Sequence, residues 1–183
     1  MGRKGLIWYP GAIYHITTRG NRKSNIFMKK LDYIIYLNIL KEALEKYKGT
    51  LYCYCLMTNH VHLLIQTGEI IISQIMKKTN ETYAKYFNNN YNLVGHLFQE
   101  RYGWKIVQGE KYILDASKYI HLNPVKAKIV EKPEEYIWSS YAMYIGEKKE
   151  KLIHSNRILS FFTEKNCREE YKQWCQAPTE KCR

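Results

Sequence analysis

The sequence predicts an α/β (α+β) fold: a ferredoxin-like sandwich with an antiparallel sheet, followed by a small C-terminal helical appendage. Three observations carry this prediction. Short runs rich in β-branched and aromatic residues alternate with period two, and they are separated by two long runs whose apolar residues recur at three and four. The elements come in the order strand, helix, strand, strand, helix, which supplies five of the six elements of a split βαβ unit. No run of Gly or Pro divides this part of the chain.

Taken in order, Ala12–Thr18 (AIYHITT) alternates and reads as the first strand. His15 falls inside it and is assigned core or sheet-surface duty. Arg19-Gly20-Asn21-Arg22-Lys23 is a loop in which Gly20 frees the backbone and three cations gather. It is either a phosphate-holding loop or a plain solvated turn. Lys29–Lys48 is a long amphipathic helix, with Tyr33, Tyr36, Leu37, Leu40 and Leu44 on one stripe and Gly49 as its stop. Leu51–Met57 and His60–Gln66 form a hairpin around Thr58-Asn59. Ile71–Phe87 is a second helix, and Asn88–Asn92 (NNNYN) a polar bend. Gly95–Arg101 has no clear period. Gly103–Val107 is the last strand, and a helix from about Lys111 to Leu122 follows, then a short segment Val125–Val130. Beyond Pro133 and Trp138–Tyr141, Ser155-Asn156 would cap a helix Arg157–Phe162, and Cys167–Cys175 has a helical rhythm. The expected division is 1–130 for the main domain and 131–183 for the appendage.

Two stretches carry chemistry. In His60-Val61-His62, the histidines are two apart on a strand and project to one face, while Val61, Leu63 and Ile65 fill the other. Paired imidazoles at this spacing are half of a metal site, or else two polar residues on a solvated strand face. In Tyr119-Ile120-His121-Leu122-Asn123-Pro124, Tyr119 and Asn123 lie one helical turn apart, and Pro124 discourages the helix from continuing. A phenol and an amide oxygen on one ridge, set against two histidines, supply a nucleophile and a third ligand. Mixed imidazole and amide-oxygen ligation suits magnesium or manganese better than a closed zinc site. Tyr112 is a second, weaker nucleophile candidate.

The net charge of +12 is uneven. Residues 1–50 hold 10 Lys/Arg and 3 Asp/Glu, a balance of +7 against +5 for the other 133 residues. This balance favours a polyanionic partner, because neutralised phosphates release counterions. The 17 tyrosines can stack on unpaired bases, but most are assigned to packing. Five cysteines, an odd number with no compact framework, argue against a disulfide-built domain. Cys53 and Cys55 read as buried thiols, and Cys167, Cys175 and Cys182 are not spaced as a zinc site. No stretch approaches the roughly 18 to 20 apolar residues that span a bilayer, and MGRKGLIWYPG has too short an apolar part for a secretory signal. The expected location is cytoplasmic, with no membrane partner.

The motifs His60-Val61-His62 and Tyr119…Asn123-Pro124 occur with the flanks TRGNRK (Thr18–Lys23), LMTNHVHLL (Leu56–Leu64), YIHLNPVKA (Tyr119–Ala127) and WSSY (Trp138–Tyr141). On these residues, from about Tyr9 to Tyr144, the chain resembles the single-tyrosine HUH transposases, and most of all their REP-associated branch. The resemblance implies a metal-dependent endonuclease and strand transferase acting on hairpin-flanked single-stranded DNA. In it, Tyr119 attacks phosphorus to form a 5′-phosphotyrosine link, and His60, His62 and Asn123 hold Mg2+ or Mn2+. It adds Arg19, Asn21, Arg22, Lys23, Arg101 and Lys118 as DNA contacts, with Arg101 falling in a G-x-L-x-Q-x-R-Y run at Gly95–Tyr102. The family contains monomers acting in cis and homodimers that exchange tyrosines; the REP-associated branch leans to monomers. The competing readings are a nucleic-acid-binding module without chemistry, a replication-initiator or relaxase-like nickase, and a ribonuclease.

Overall fold

The computed structural model describes residues 5–177. Cys182 and the basic residues of the first four positions lie outside the described residues. Four strands, β1 (Ile13–Arg19), β2 (Thr50–Met57), β3 (His60–Gln66) and β4 (Gly103–Ile106), form one antiparallel sheet in the order β2-β3-β1-β4. With α1 (Lys30–Tyr47) after β1 and α2 (Ile72–Tyr91) after β3, this is the ferredoxin-like arrangement that the element order predicts. Gly20 is required by close approach rather than by an unusual torsion. A Cβ there would lie 2.1 Å from the Ser24 carbonyl oxygen, and the left-handed torsions fall instead on Arg22 (φ 52°) and Lys23 (φ 62°).

Strand alternation sorts the sheet into two faces. The register pairs Ile16 with Leu63 and Tyr14 with Ile65, and these side chains join the core that α1 and α2 cover. His15, Thr17, Arg19, His60 and His62 share the other face with Cys53, Cys55 and Met57 of β2. Both faces are buried over most of their length, so the histidine face is not a solvated one. It is covered by α3 (Glu110–His121), which packs on β2 and β3 and leads through Leu122 into the single turn α4 (Asn123–Lys126).

Helix α2 corrects one expectation: Asn88–Tyr91 continue the helix instead of bending. Phe87 and Tyr91 pack as a tilted ring pair 4.6 Å between centroids, and the Tyr91 hydroxyl donates to Asp32 of α1, so side-chain packing outweighs the poor helix propensity of three asparagines. Asn92, at φ 52°, then closes the helix. Asp32 itself is fully buried and accepts from Tyr86, Tyr91 and the backbone N–H groups of Met28 and Lys29.

The C-terminal segment is built onto the free edge of β2 and the back of α3. Leu56 N–H donates to the Trp138 carbonyl, Ser140 N–H to Tyr54, and His154 N–H to Leu51, so the edge strand is covered. Three short helices follow, α5 (Tyr141–Tyr144), α6 (Asn156–Leu159) and α7 (Cys167–Gln176). Ser155 does not cap α6 through its side chain; its hydroxyl is taken by Glu150. Cys53, Cys55 and Cys175 are buried free thiols.

Candidate active site

The hairpin turn Thr58-Asn59 delivers His60 and His62 to the same face, with ring centroids 5.0 Å apart. His62 is 5% exposed and His60 is half-buried. Helix α3 lays Tyr119 against His62. Its ring meets His62 edge-on at 5.6 Å, and it is 43% exposed, so one side of the phenol faces solvent. Helical periodicity explains the choice. Ile113, Ser117, Ile120 and His121 are buried, leaving Tyr119 at the open end of the helix. One turn on, the Asn123 amide nitrogen donates to the Tyr119 carbonyl at 2.8 Å, which leaves the side-chain oxygen for another partner. Lys126 stands over the Tyr119 ring, 4.7 Å from its centroid.

Sequence reasoning missed two members of this cluster. His15 Nε2 lies 3.0 Å from His62 Nδ1, and the His15 ring stands 5.6 Å from that of Tyr119. In the β1–β3 register Thr17 faces His62, so His15 is its diagonal neighbour; knowledge of the strand pairing would have revealed it. Asn59 is more than a turn residue. Its oxygen lies 2.6 Å from His60 Nδ1, and its amide nitrogen donates to the Lys23 carbonyl at 3.1 Å. The turn therefore joins a histidine of the site to the basic loop.

Electrostatics keep all three imidazoles neutral near pH 7. Burial, reinforced by Lys105, pushes His15 down to about 4, and burial with Arg19 pushes His60 down to about 4. Burial, His15, His60 and Arg19 together bring His62 to about 3. Neutral rings keep a lone pair for a cation. Among the described residues no group of three His, Cys, Asp or Glu side chains could by itself hold a metal ion. Asn123 contributes a donor of another kind, an amide oxygen one helical turn from Tyr119.

The expected DNA contacts divide. Arg19 is exposed and paired in register with His60, and Asn21, Arg22 and Lys23 are exposed on the adjoining 3-10 turn. Arg101 is exposed too, on a segment that Leu97 and Gln99 tie by backbone hydrogen bonds to Asn21 and Arg19. It lines a cleft of about 900 Å3 between α2 and the segment 95–102, together with Lys77 and Asn80, and this cleft is not lined by His15, His60, His62 or Tyr119. Lys118 is a correction. It is 4% exposed, its ammonium donates to the carbonyls of Trp174 (2.6 Å) and Ala177 (2.7 Å), and it lies 4.9 Å from the Trp174 ring centroid. A side chain used up in this way holds α7 and does not reach a phosphate. Tyr112, the alternative nucleophile, is 64% exposed on the first turn of α3.

Behind Tyr119, α3 is fastened to the appendage. His121 is fully buried, with Nδ1 2.7 Å from the Tyr171 hydroxyl and Nε2 2.7 Å from the Ser140 hydroxyl, and burial pushes it down to about 3. The Tyr171 hydroxyl also donates to Ser117 at 3.1 Å.

Residues 9–123 match the family described as IS200-like transposases. The chain is 26% identical over 144 residues to a Haemophilus influenzae protein assigned to the REP-associated tyrosine transposases, covering 72% of this chain and 80% of that one. A solved structure of a REP-associated tyrosine transposase bound to a REP hairpin superposes with a TM-score of 0.69 at 15% identity, over 86% of this chain and 93% of that one.

Proposed function

Because the chain belongs to the IS200-like, single-tyrosine HUH transposases, we propose that it cleaves and rejoins single-stranded DNA with Tyr119 as its nucleophile. We take the substrate to carry a hairpin, the kind of DNA held by the structurally similar transposase. The observation that carries this reading is the approach of Tyr119 to His62, 5.6 Å between rings, with a face of the phenol left open. His60, His62 and the Asn123 oxygen would hold a divalent ion, Mg2+ or Mn2+, which when bound would orient the scissile phosphate and offset its charge.

The chain's own residues supply the rest. The Tyr119 oxygen attacks phosphorus, forming a P–O bond to the phenol and breaking the bond to the 3′ oxygen. The phenol proton passes to solvent and the departing oxygen leaves as a 3′-hydroxyl. A second 3′-hydroxyl reverses the step, since the phosphodiester energy is kept in the phosphotyrosine link. Lys126, above the ring, places positive charge where an entering phosphate must pass. Arg19, Asn21, Arg22 and Lys23 form a basic lip beside His60 that suits a phosphate backbone, and Arg101 offers a second contact at the cleft. In this reading the unit 1–130 carries the chemistry, and in the appendage 131–183 the residues Ser140, Tyr171, Trp174 and Ala177 brace helix α3.

The test is incubation of a labelled single-stranded hairpin with Mn2+, followed by denaturing separation. Wild type should yield a protein–DNA adduct, and Tyr119→Phe should bind DNA but yield none. An adduct formed by Tyr119→Phe would move the nucleophile elsewhere, first to Tyr112.

A further inference from the structure

We propose that Asn59 and His15 are positioning residues, which grip His60 and His62 at Nδ1 and so reserve Nε2 of each ring for the cation. The inference rests on the metal-site reading above and assigns two residues that the motif itself does not.

For His60 the proton can be placed by elimination. The Asn59 amide nitrogen is committed to the Lys23 carbonyl, so the oxygen is the end facing His60 Nδ1, 2.6 Å away. An amide oxygen only accepts, so Nδ1 carries the hydrogen. Neutral imidazole has a single N–H, and Nε2 of His60 therefore holds a lone pair. The backbone reinforces the arrangement, because Gly20 N–H donates to the Asn59 carbonyl at 2.9 Å.

For His62 the partner is another neutral ring. A contact of 3.0 Å between His15 Nε2 and His62 Nδ1 allows one hydrogen between them. If His15 donated, His62 would carry its own hydrogen on Nε2 and could not ligate. With His62 donating, His15 is the acceptor and holds its hydrogen on Nδ1. Ligation at His62 thus selects one of two tautomer pairs, and His15 has to be a ring or group that accepts at that point. Its place on the β1–β3 diagonal, with the Tyr119 ring against it, keeps it there. Outer partners of this kind raise ligand basicity and fix ring direction.

Mn2+ titration of the full-length protein, without DNA, followed by electron paramagnetic resonance, tests this. Loss of a group that holds a metal-binding histidine typically weakens metal affinity by about 10- to 100-fold. His15→Phe, which fills the space without accepting, and Asn59→Ala should each fall in that range. His15→Gln and Asn59→Asp, which keep an acceptor oxygen, should recover most of the affinity. Thermal melts of the same samples confirm that each variant is folded, and Asn59, half-exposed on a turn, tolerates change best. Wild-type affinity in both His15→Phe and Asn59→Ala would overturn the inference while leaving the metal site intact. Coupling of Mn2+ to three imidazoles in wild type would also overturn it, because His15 would then be a ligand. No Mn2+ binding by wild type at all would remove the underlying reading together with the inference.

Discussion

Lys118 offers the sharpest contrast between a surface and a structural role for one side chain. Lys118→Met preserves the length and apolar stem and deletes only the ammonium. In the folded chain that group makes two hydrogen bonds, to Trp174 and Ala177, whose carbonyls belong to the end of α7. Such carbonyls have no partner within the helix. Hydrogen bonds to a charged donor contribute about 1.5–3 kcal/mol each, but removing the ammonium also removes its desolvation cost, so a net loss of about 2–3 kcal/mol is expected. For a chain of 183 residues, each kcal/mol corresponds to roughly 2–4 °C, which gives a Tm lower by about 4–12 °C. Thermal unfolding followed by circular dichroism reads this directly. In parallel, the dependence of DNA affinity on salt should be unchanged, since no phosphate contact is lost. An unaltered Tm combined with a shallower salt slope would refute the reasoning and return Lys118 to the DNA surface.

Three further outcomes are expected. Arg22→Ala with Lys23→Ala should weaken binding to every sequence and flatten the slope of log affinity against log salt by about 1.4, two contacts at about 0.7 each on a single strand; an unchanged slope in fluorescence anisotropy would make the loop a solvated turn. Asn123→Ala should lower Mn2+ affinity at least about tenfold in calorimetric titration, with adduct formation partly restored by excess Mn2+; undiminished, chelator-insensitive cleavage would remove the amide from the ligand set. Asp32, which burial alone would raise, is held below its usual value by the hydroxyls of Tyr91 and Tyr86 and the N–H groups of Met28 and Lys29. Its contribution is therefore present above the unfolded pKa near 3.9 and lost as pH falls through the lower folded value. Urea unfolding should show a large stability gap between wild type and Asp32→Asn at pH 7 that closes in acid; a gap independent of pH would contradict the assignment.

The reach of sequence reasoning here follows the range of the interactions. His60 and His62 were legible because strand alternation is a local rule, and Tyr119 with Asn123 because one helical turn is local too. The same holds for β1, α1 and the hairpin, each found within a few residues of its expected limits. His15 was not legible, because its approach to His62 depends on which strand pairs with which and in what register. Lys118 looks like any cation beside a nucleophile until α7, more than fifty residues later, is seen to end on it. Asn88–Tyr91 misled for the opposite reason: a poor local propensity was overruled by the distant carboxylate of Asp32.

The phenol of Tyr119 and the rings of His15 and His62 come together within a single polypeptide. If the protein works with its site in this arrangement, two inactive alleles, one lacking Tyr119 and the other His62, spoil the same site in their respective products, and neither product lends its intact half to the other. Mixed or co-expressed, they should stay silent, whereas an enzyme that exchanged its nucleophile between subunits would regain a fraction of its activity.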